Sequence, residues 1–170
     1  ASSYTVADGL ATVRLSNGQD IQLRTRSVRF VRFRDHAAQS AVARQWDELT
    51  KEKHSGDVIV IRREESLDHL EGILHDVGEQ TAKFERDGDK IDVNRQRLDG
   101  LIYYHPIARQ LPERICQVTD VSGSRWHARG LALVEDRIEL TTPAGVKIAL
   151  PAEQLRTLDF SSGNTVWLSD

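Results

Sequence analysis

The chain has no methionine, one cysteine, four prolines and only 6% aromatic residues among 170 positions. The lone Cys116 excludes an intrachain disulfide and any zinc site built on several cysteines. No apolar run approaches the roughly 18 residues that a membrane-spanning helix needs. No signal-peptide pattern is visible either. A dominant charge sign is also lacking. Lys and Arg total 23 against 26 Asp and Glu, a net charge of -3, so a globally basic nucleic-acid binder is excluded. With 39% hydrophobic and 29% charged residues, the composition is that of a folded protein rather than a disordered one. The length suits one ordinary domain or two small ones. A chain that opens at Ala1 without a methionine is expected to be processed, trimmed or cut from something larger.

What is present is an internal repeat. Ile91, Val93, Leu98, Leu101 and Tyr103 follow one another at steps of 2, 5, 3 and 2. The same steps separate Ile148, Leu150, Leu155, Leu158 and Phe160, and again Ile21, Leu23, Val28, Val31 and Phe33. Each set follows a turn: Ser16-Asn17-Gly18, Asp87-Gly88-Asp89 or Pro143-Ala144-Gly145. A short alternating strand before each turn ends at Leu15, Phe84 or Leu140. Three matches in order argue for three copies of one β unit. In the second copy, residues 57–62 and 67–76 read as two further strands, the longer one holding Gly72. In the third, residues 114–121 and 125–134 repeat the scheme, matching Gly130 to Gly72 and Trp126 to Asp68. A glycine inside a long strand marks a bend or a close backbone approach.

Five strands with a bent second strand predict a small SH3-like or Sm-like barrel, whose closure removes exposed edges. The expected fold class is mostly β, with tandem five-stranded barrels. One occupies residues 57–106 and the other 112–170, the latter with an added C-terminal strand. Residues 1–35 form an incomplete copy that lacks the first strand and most of the second. Residues 36–56 connect the two and hold one helix, over about 36–52, with Ala38, Val42, Trp46 and Leu49 on one apolar stripe. Asp35 is the expected cap, and Trp46 the expected anchor against a barrel. Residues 165–168 are expected to complete the first copy, with Trp167 closing its core; the alternative is a strand from a second molecule.

Candidate chemistry is sparse. His69, Glu71 and His75 share one strand face, but residues two and six apart are separated by roughly 6.6 and 20 Å. Metal ligands must converge to about 2 Å from one ion, so a solvated barrel face is the expected reading. Ser122-Gly123-Ser124 reads as a hairpin turn, not a nucleophile elbow. Cys116, between Ile115 and Val118, reads as a buried inert thiol. No glycine-rich phosphate loop occurs. The chain is therefore read as a non-enzyme, with no catalytic residue, no metal and no cofactor. Arg14, Arg24, Arg26, Arg29, Arg32 and Arg34 face a single aspartate, Asp20, in their span, a local balance of +5. Such a stripe could pair with phosphates; a structural role against neighbouring acidic strands is preferred. Among the aromatics, Tyr103 falls on a repeated core position, whereas Tyr104 and Trp126 are candidates for the surface. The surface contacts singled out are Trp126, Tyr104, Arg24, Arg26, Arg29 and Arg32.

The segments Gly56 to Arg62, Leu70-Glu71-Gly72 and Leu98 to Tyr104, with the tail Leu158 to Asp170, resemble repeats of large secreted proteins from planctomycete-type bacteria. In those proteins such a tail precedes a novel putative carbohydrate-binding module. The resemblance runs from about residue 20 to the end. It implies an extracellular or periplasmic scaffold or interaction module, with a glycan reached through a downstream module and a protein or domain as partner. It carries over no catalytic or ligand residue. Leu70-x-Gly72-x-Leu74 also resembles the bent second strand of Sm-like proteins, and Leu98-Asp99-Gly100 sits near their second motif. Here Asp99 replaces an arginine, and the loop Val77-Gly78-Glu79-Gln80 lacks the base-gripping asparagine, so nucleic acid is the runner-up partner only.

Overall fold

The computed structural model describes residues 1–107 and 110–161. Just over half of these lie in strands, which form curled antiparallel sheets, and there is one α-helix among them. Two compact units result, Ala1–Ile107 and Ala108–Asp170. The first carries β1 (Ser3–Ala7), β2 (Leu10–Arg14), β3 (Asp20–Arg24), β4 (Phe30–Arg32) and α1 (Ala41–Leu49). It continues through β5 (Asp57–Arg63), β6 (Ser66–Val77), β7 (Thr81–Arg86), β8 (Asp89–Asn94) and β9 (Leu98–Ile102). The second carries β10 (Cys116–Asp120), β11 (Arg125–Ala128), β12 (Gly130–Val134), β13 (Arg137–Thr141), β14 (Lys147–Pro151) and β15 (Leu155–Asp159).

The repeated spacing has a physical cause at each step. Steps of two are strand alternation in β3, β8 and β14. The step of five is a single 3-10 turn, at Thr25–Ser27, Arg95–Arg97 and Ala152–Gln154. In each, the following apolar residue (Val28, Leu98 or Leu155) donates its N–H to the first carbonyl of the turn. In the second and third copies the step of three is a β-bulge. β9 shifts register against β5 between Val60 and Ile61, and β15 against β10 between Thr119 and Asp120. The extra residues are Asp99 and Arg156.

In the first unit the sheet runs β3-β2-β1-β6-β5-β9-β4, with β7 and β8 continuing from β6. The incomplete copy and the second copy therefore share one sheet. β1 joins β6 at Val6 opposite Val77, and β4 joins β9 with Val31 opposite Leu101. They share one core as well: Tyr4, Val6, Ala11 and Val28 pack with Ile59, Val77, Phe84, Leu98, Leu101 and Tyr103. The apolar face expected to need an outside strand is covered by the second copy. Residues 165–168, including Trp167, lie outside the described residues.

The second unit holds two three-stranded sheets, β11-β10-β15 and β12-β13-β14, around buried Val118, Ala128, Ile138, Leu140, Ile148 and Leu150. Its registers correct three sequence matches. Val13, rather than Leu15, corresponds to Phe84 and Leu140, because these three face Ile21, Ile91 and Ile148. Trp126 corresponds to Leu70 rather than Asp68, because they face Val118 and Ile59, which in turn face Leu158 and Leu101. Gly130 is not the counterpart of Gly72. Gly72 lies opposite Asp57 as Ala128 lies opposite Cys116, whereas Gly130 faces Thr141 as Ile73 faces Glu85. The third copy carries an extra residue, Arg129, where its long strand breaks into β11 and β12.

α1 is shorter than its apolar stripe suggests. Ser40, not Asp35, caps it, the Oγ accepting from the Ala43 N–H at 3.1 Å, and Ala38 precedes the helix. Trp46 and Leu49 pack on Val58, Val60 and Ile102, with Leu67 beside them. Trp46 rests on Gly100, where a Cβ would come within 2.6 Å of the ring Cζ3. The bare backbone at Gly100 is what admits the indole.

Candidate functional site

Two of the six surface candidates come together. Tyr104 and Arg26 line one cleft of about 480 Å³ in the first unit, along with Asp57, Asp76, His75 and His105. Most polar groups of this cleft are occupied in holding strand ends. The Asp57 carboxylate accepts from the Tyr104 N–H at 2.8 Å and the Leu74 N–H at 3.0 Å. Asp76 accepts from the Asp8 N–H at 3.2 Å and faces Lys83 Nζ at 3.7 Å. His75 meets Glu85 at 2.9 Å, and His105 Nε2 donates to the Val28 carbonyl at 2.7 Å. The Tyr104 ring and Arg26 remain exposed.

The other arginines do not form one stripe. Arg24 ends β3, exposed, opposite Leu10. Arg29 donates to the Thr50 carbonyl at the end of α1, at 3.2 Å. Arg32 lies over Trp46, its guanidinium carbon 5.4 Å from the ring centroid, with Nε and Nη2 buried and without a hydrogen-bond partner among the described residues. Arg14 grips Asp20 with two bonds of 2.8 and 2.9 Å, and Arg34 donates to the Gln96 carbonyl. Trp126 belongs to the second unit, half-buried, with its indole N–H buried and without a hydrogen-bond partner among the described residues. Tyr103 is in the core, where its hydroxyl meets that of Tyr4 at 2.8 Å. Burial pushes the Tyr4 phenol up to about 12, against the lowering effect of the Tyr103 hydrogen bond and the Arg95 charge.

The sequence reading missed a cluster beside the connector. Glu71, expected on a solvated face with His69 and His75, turns instead to the loop after α1. His54 Nδ1 lies 2.9 Å from Glu71 Oε1, and its Nε2 lies 2.8 Å from the Leu49 carbonyl. Ser55 donates to Glu71 Oε2 through its hydroxyl at 2.6 Å and its N–H at 3.1 Å. The His69 ring stands 6.3 Å from that of His54. The signal was Gly56. A Cβ there would lie 2.5 Å from the Gly72 carbonyl oxygen, so only glycine lets this loop press against β6. Among the described residues, no three metal-capable side chains converge. A second buried pair, His36 Nε2 to Asp99 Oδ2 at 2.8 Å, fixes the start of the connector to the bulge in β9.

An imidazole whose two nitrogens both face acceptors satisfies both only when doubly protonated. Burial opposes the charge on His54, but the hydrogen bonds to Glu71 and the Leu49 carbonyl prevail and raise its pKa above the ordinary value. Glu71 is held down to about 2, chiefly by the Ser55 hydroxyl and then by His54. A raised histidine pKa contributes stability that is complete below the unfolded value, about 6.5, and is lost as pH rises through the folded value. Wild type should therefore exceed His54→Gln in urea midpoint by a wider margin at pH 5.5 than at pH 9. Equal margins at the two pH values would contradict a charged His54.

Comparison with family models, curated proteins and solved structures finds no match for this chain.

Proposed function

We propose that the chain is a non-catalytic scaffold or interaction module of SH3-like repeats, belonging to a larger secreted protein. One observation carries this reading: two copies bind each other through matched strand edges, β1 to β6 and β4 to β9. A repeat that recognises its neighbour edge to edge is suited to assembly, since backbone hydrogen bonds supply affinity and alternating side chains supply register. The order within the second and third copies favours the SH3-like form. A first strand, a long bent strand, a hairpin and a 3-10 turn lead into a last strand that returns to the first. Occupation of the cleft carboxylates in backbone contacts favours a structural role over catalysis. Extracellular placement, and the glycan reached through a downstream module, rest on the resemblance to secreted repeats.

The competing reading is an Sm-like nucleic-acid binder. Against it stand the arginines tied to α1 and the fully buried Asp99 where that family's motif has an arginine. Titration with labelled single-stranded RNA across salt concentrations separates the two. The scaffold reading expects no saturable binding. An affinity that falls about tenfold or more between 50 and 200 mM salt would overturn it.

A further inference from the structure

We infer that the second unit pairs with the second unit of another copy of this chain, about a two-fold axis, through β12 and β15. The inference rests on the strand-pairing reading above and names its partner. In the first unit, the two copies meet through strands that are counterparts of each other, in a register that is its own mirror. Val6 and Val77 are equivalent, since each lies opposite a matched residue, Ala11 or Ala82, which in turn faces Leu23 or Val93. Val6 and Val77 are also the two residues that pair across the contact. Val31 and Leu101, equivalent in the repeat, pair as well. Beside them Phe30 faces Ile102 while Arg32 faces Gly100, an arrangement unchanged when the copies are exchanged. This is the geometry of an isologous contact, written within one chain.

The third copy has both contact strands, and among the described residues neither has a neighbour on its outer edge. β12 ends the sheet β12-β13-β14, and β15 ends the sheet β11-β10-β15. Its contact residues are uncovered accordingly. Leu133, the counterpart of Val77, is 67% exposed where Val77 is 0%. Phe160, the counterpart of Tyr103, is 43% exposed where Tyr103 is 8%. β12 reads Gly-Leu-Ala-Leu-Val, with no charge and no proline to blunt the edge.

Self-pairing in the observed register places Leu133 opposite Leu133 and Leu158 opposite Leu158, and sets no like charges against each other. Arg156 falls opposite Phe160, and Asp159 opposite Thr157. The strands missing from the first copy do not restrict the analogy. β4 ends its sheet, so a counterpart of β5 would add at its far side, away from both contact lines.

Sedimentation of the full chain from about 5 to 200 μM is expected to show a dimer. Leu133→Asp should weaken it at least about tenfold while leaving the circular dichroism unchanged, because the side chain is exposed within its own unit. Leu133→Cys should form a covalent dimer on mild oxidation. Directly opposed strand residues lie about 4.5–5.5 Å apart at Cα, within disulfide reach, and the native Cys116 is buried. Val121→Cys, exposed in the turn after β10, should cross-link far more slowly. A monomer at 200 μM, a dimer indifferent to Leu133→Asp, or equal cross-linking of the two cysteine variants overturns the inference. So does a monomer that dimerises only after removal of residues 162–170, which would assign the edge to the chain's own tail. None of these outcomes bears on RNA binding, which alone decides against the scaffold reading.

Discussion

Gly72→Val is expected to cost the first unit about 3 kcal/mol or more, the range reserved for substitutions with a definite steric cause. A Cβ at this position would lie 2.7 Å from Cζ of Phe84 and closer still to the Glu85 carbonyl. Phe84 is wholly buried and cannot swing aside, and the carbonyl belongs to β7, which pairs with β6 at this point. The sequence sets Gly130 beside Gly72 as an equal partner in the bend. The structure separates them: a Cβ on Gly130 would meet only the Cβ of Thr141, at 3.9 Å. Gly130→Val should therefore cost less than about 1 kcal/mol, since a β-branched residue suits an open strand position. Urea unfolding of the two variants, followed by amide exchange to tell the units apart, measures the difference. Equal losses would mean that the close approach at Gly72 is not the cause.

Trp46→Ala should be comparably damaging, at about 3–5 kcal/mol for removal of a buried indole. Trp46 is 3% exposed and fills the space above Gly100 between Val58, Val60 and Ile102. It also meets the Phe30 ring edge-on at 6.0 Å and underlies the Arg32 guanidinium. Phe30 and Arg32 begin and end β4, so amide exchange there should accelerate beyond the change seen in β7 and β8. A loss under about 1 kcal/mol, with exchange in β4 unaltered, would show α1 to be an ornament rather than a clamp.

The periodic elements were legible because they arise from local rules. Alternation, a 3-10 turn and a bulge each leave a fixed mark on the spacing of Val93, Leu98 and Leu101, so the repeat was visible before any pairing was known. The mostly β character followed from the same marks, and the helix from the apolar stripe through Val42, Trp46 and Leu49. What the spacing could not carry was partnership. Val6 and Val77 are 71 positions apart, and nothing in either strand names the other. The edge of the incomplete copy was therefore assigned to residues 165–168, although the second copy fills it. The Gly130 and Trp126 matches failed for a smaller reason: pairing the two glycines slips the third copy by one position at Gly130, and Arg129, inserted between β11 and β12, widens the slip to two at Trp126. The arginines misled because a run of charge in sequence became separate contacts in space, with Asp20, Thr50, Trp46 and Gln96. His54 and Glu71 drew no attention as a pair because one sits in a loop and the other in β6.

The shared core of the first unit also fixes an order of events during synthesis. Val31 has its strand partner in Leu101, 70 positions later. At about 5–20 residues per second, roughly 4–14 s separate the appearance of the two on the ribosome. Early in that interval the first three strands have only their own hairpins, until β6 arrives to pair with β1. The slow, non-local step is the arrival of β9, which gives β4 its place and seals Tyr4 beneath Tyr103. β1 to β4 are thus made before the strands that bury them.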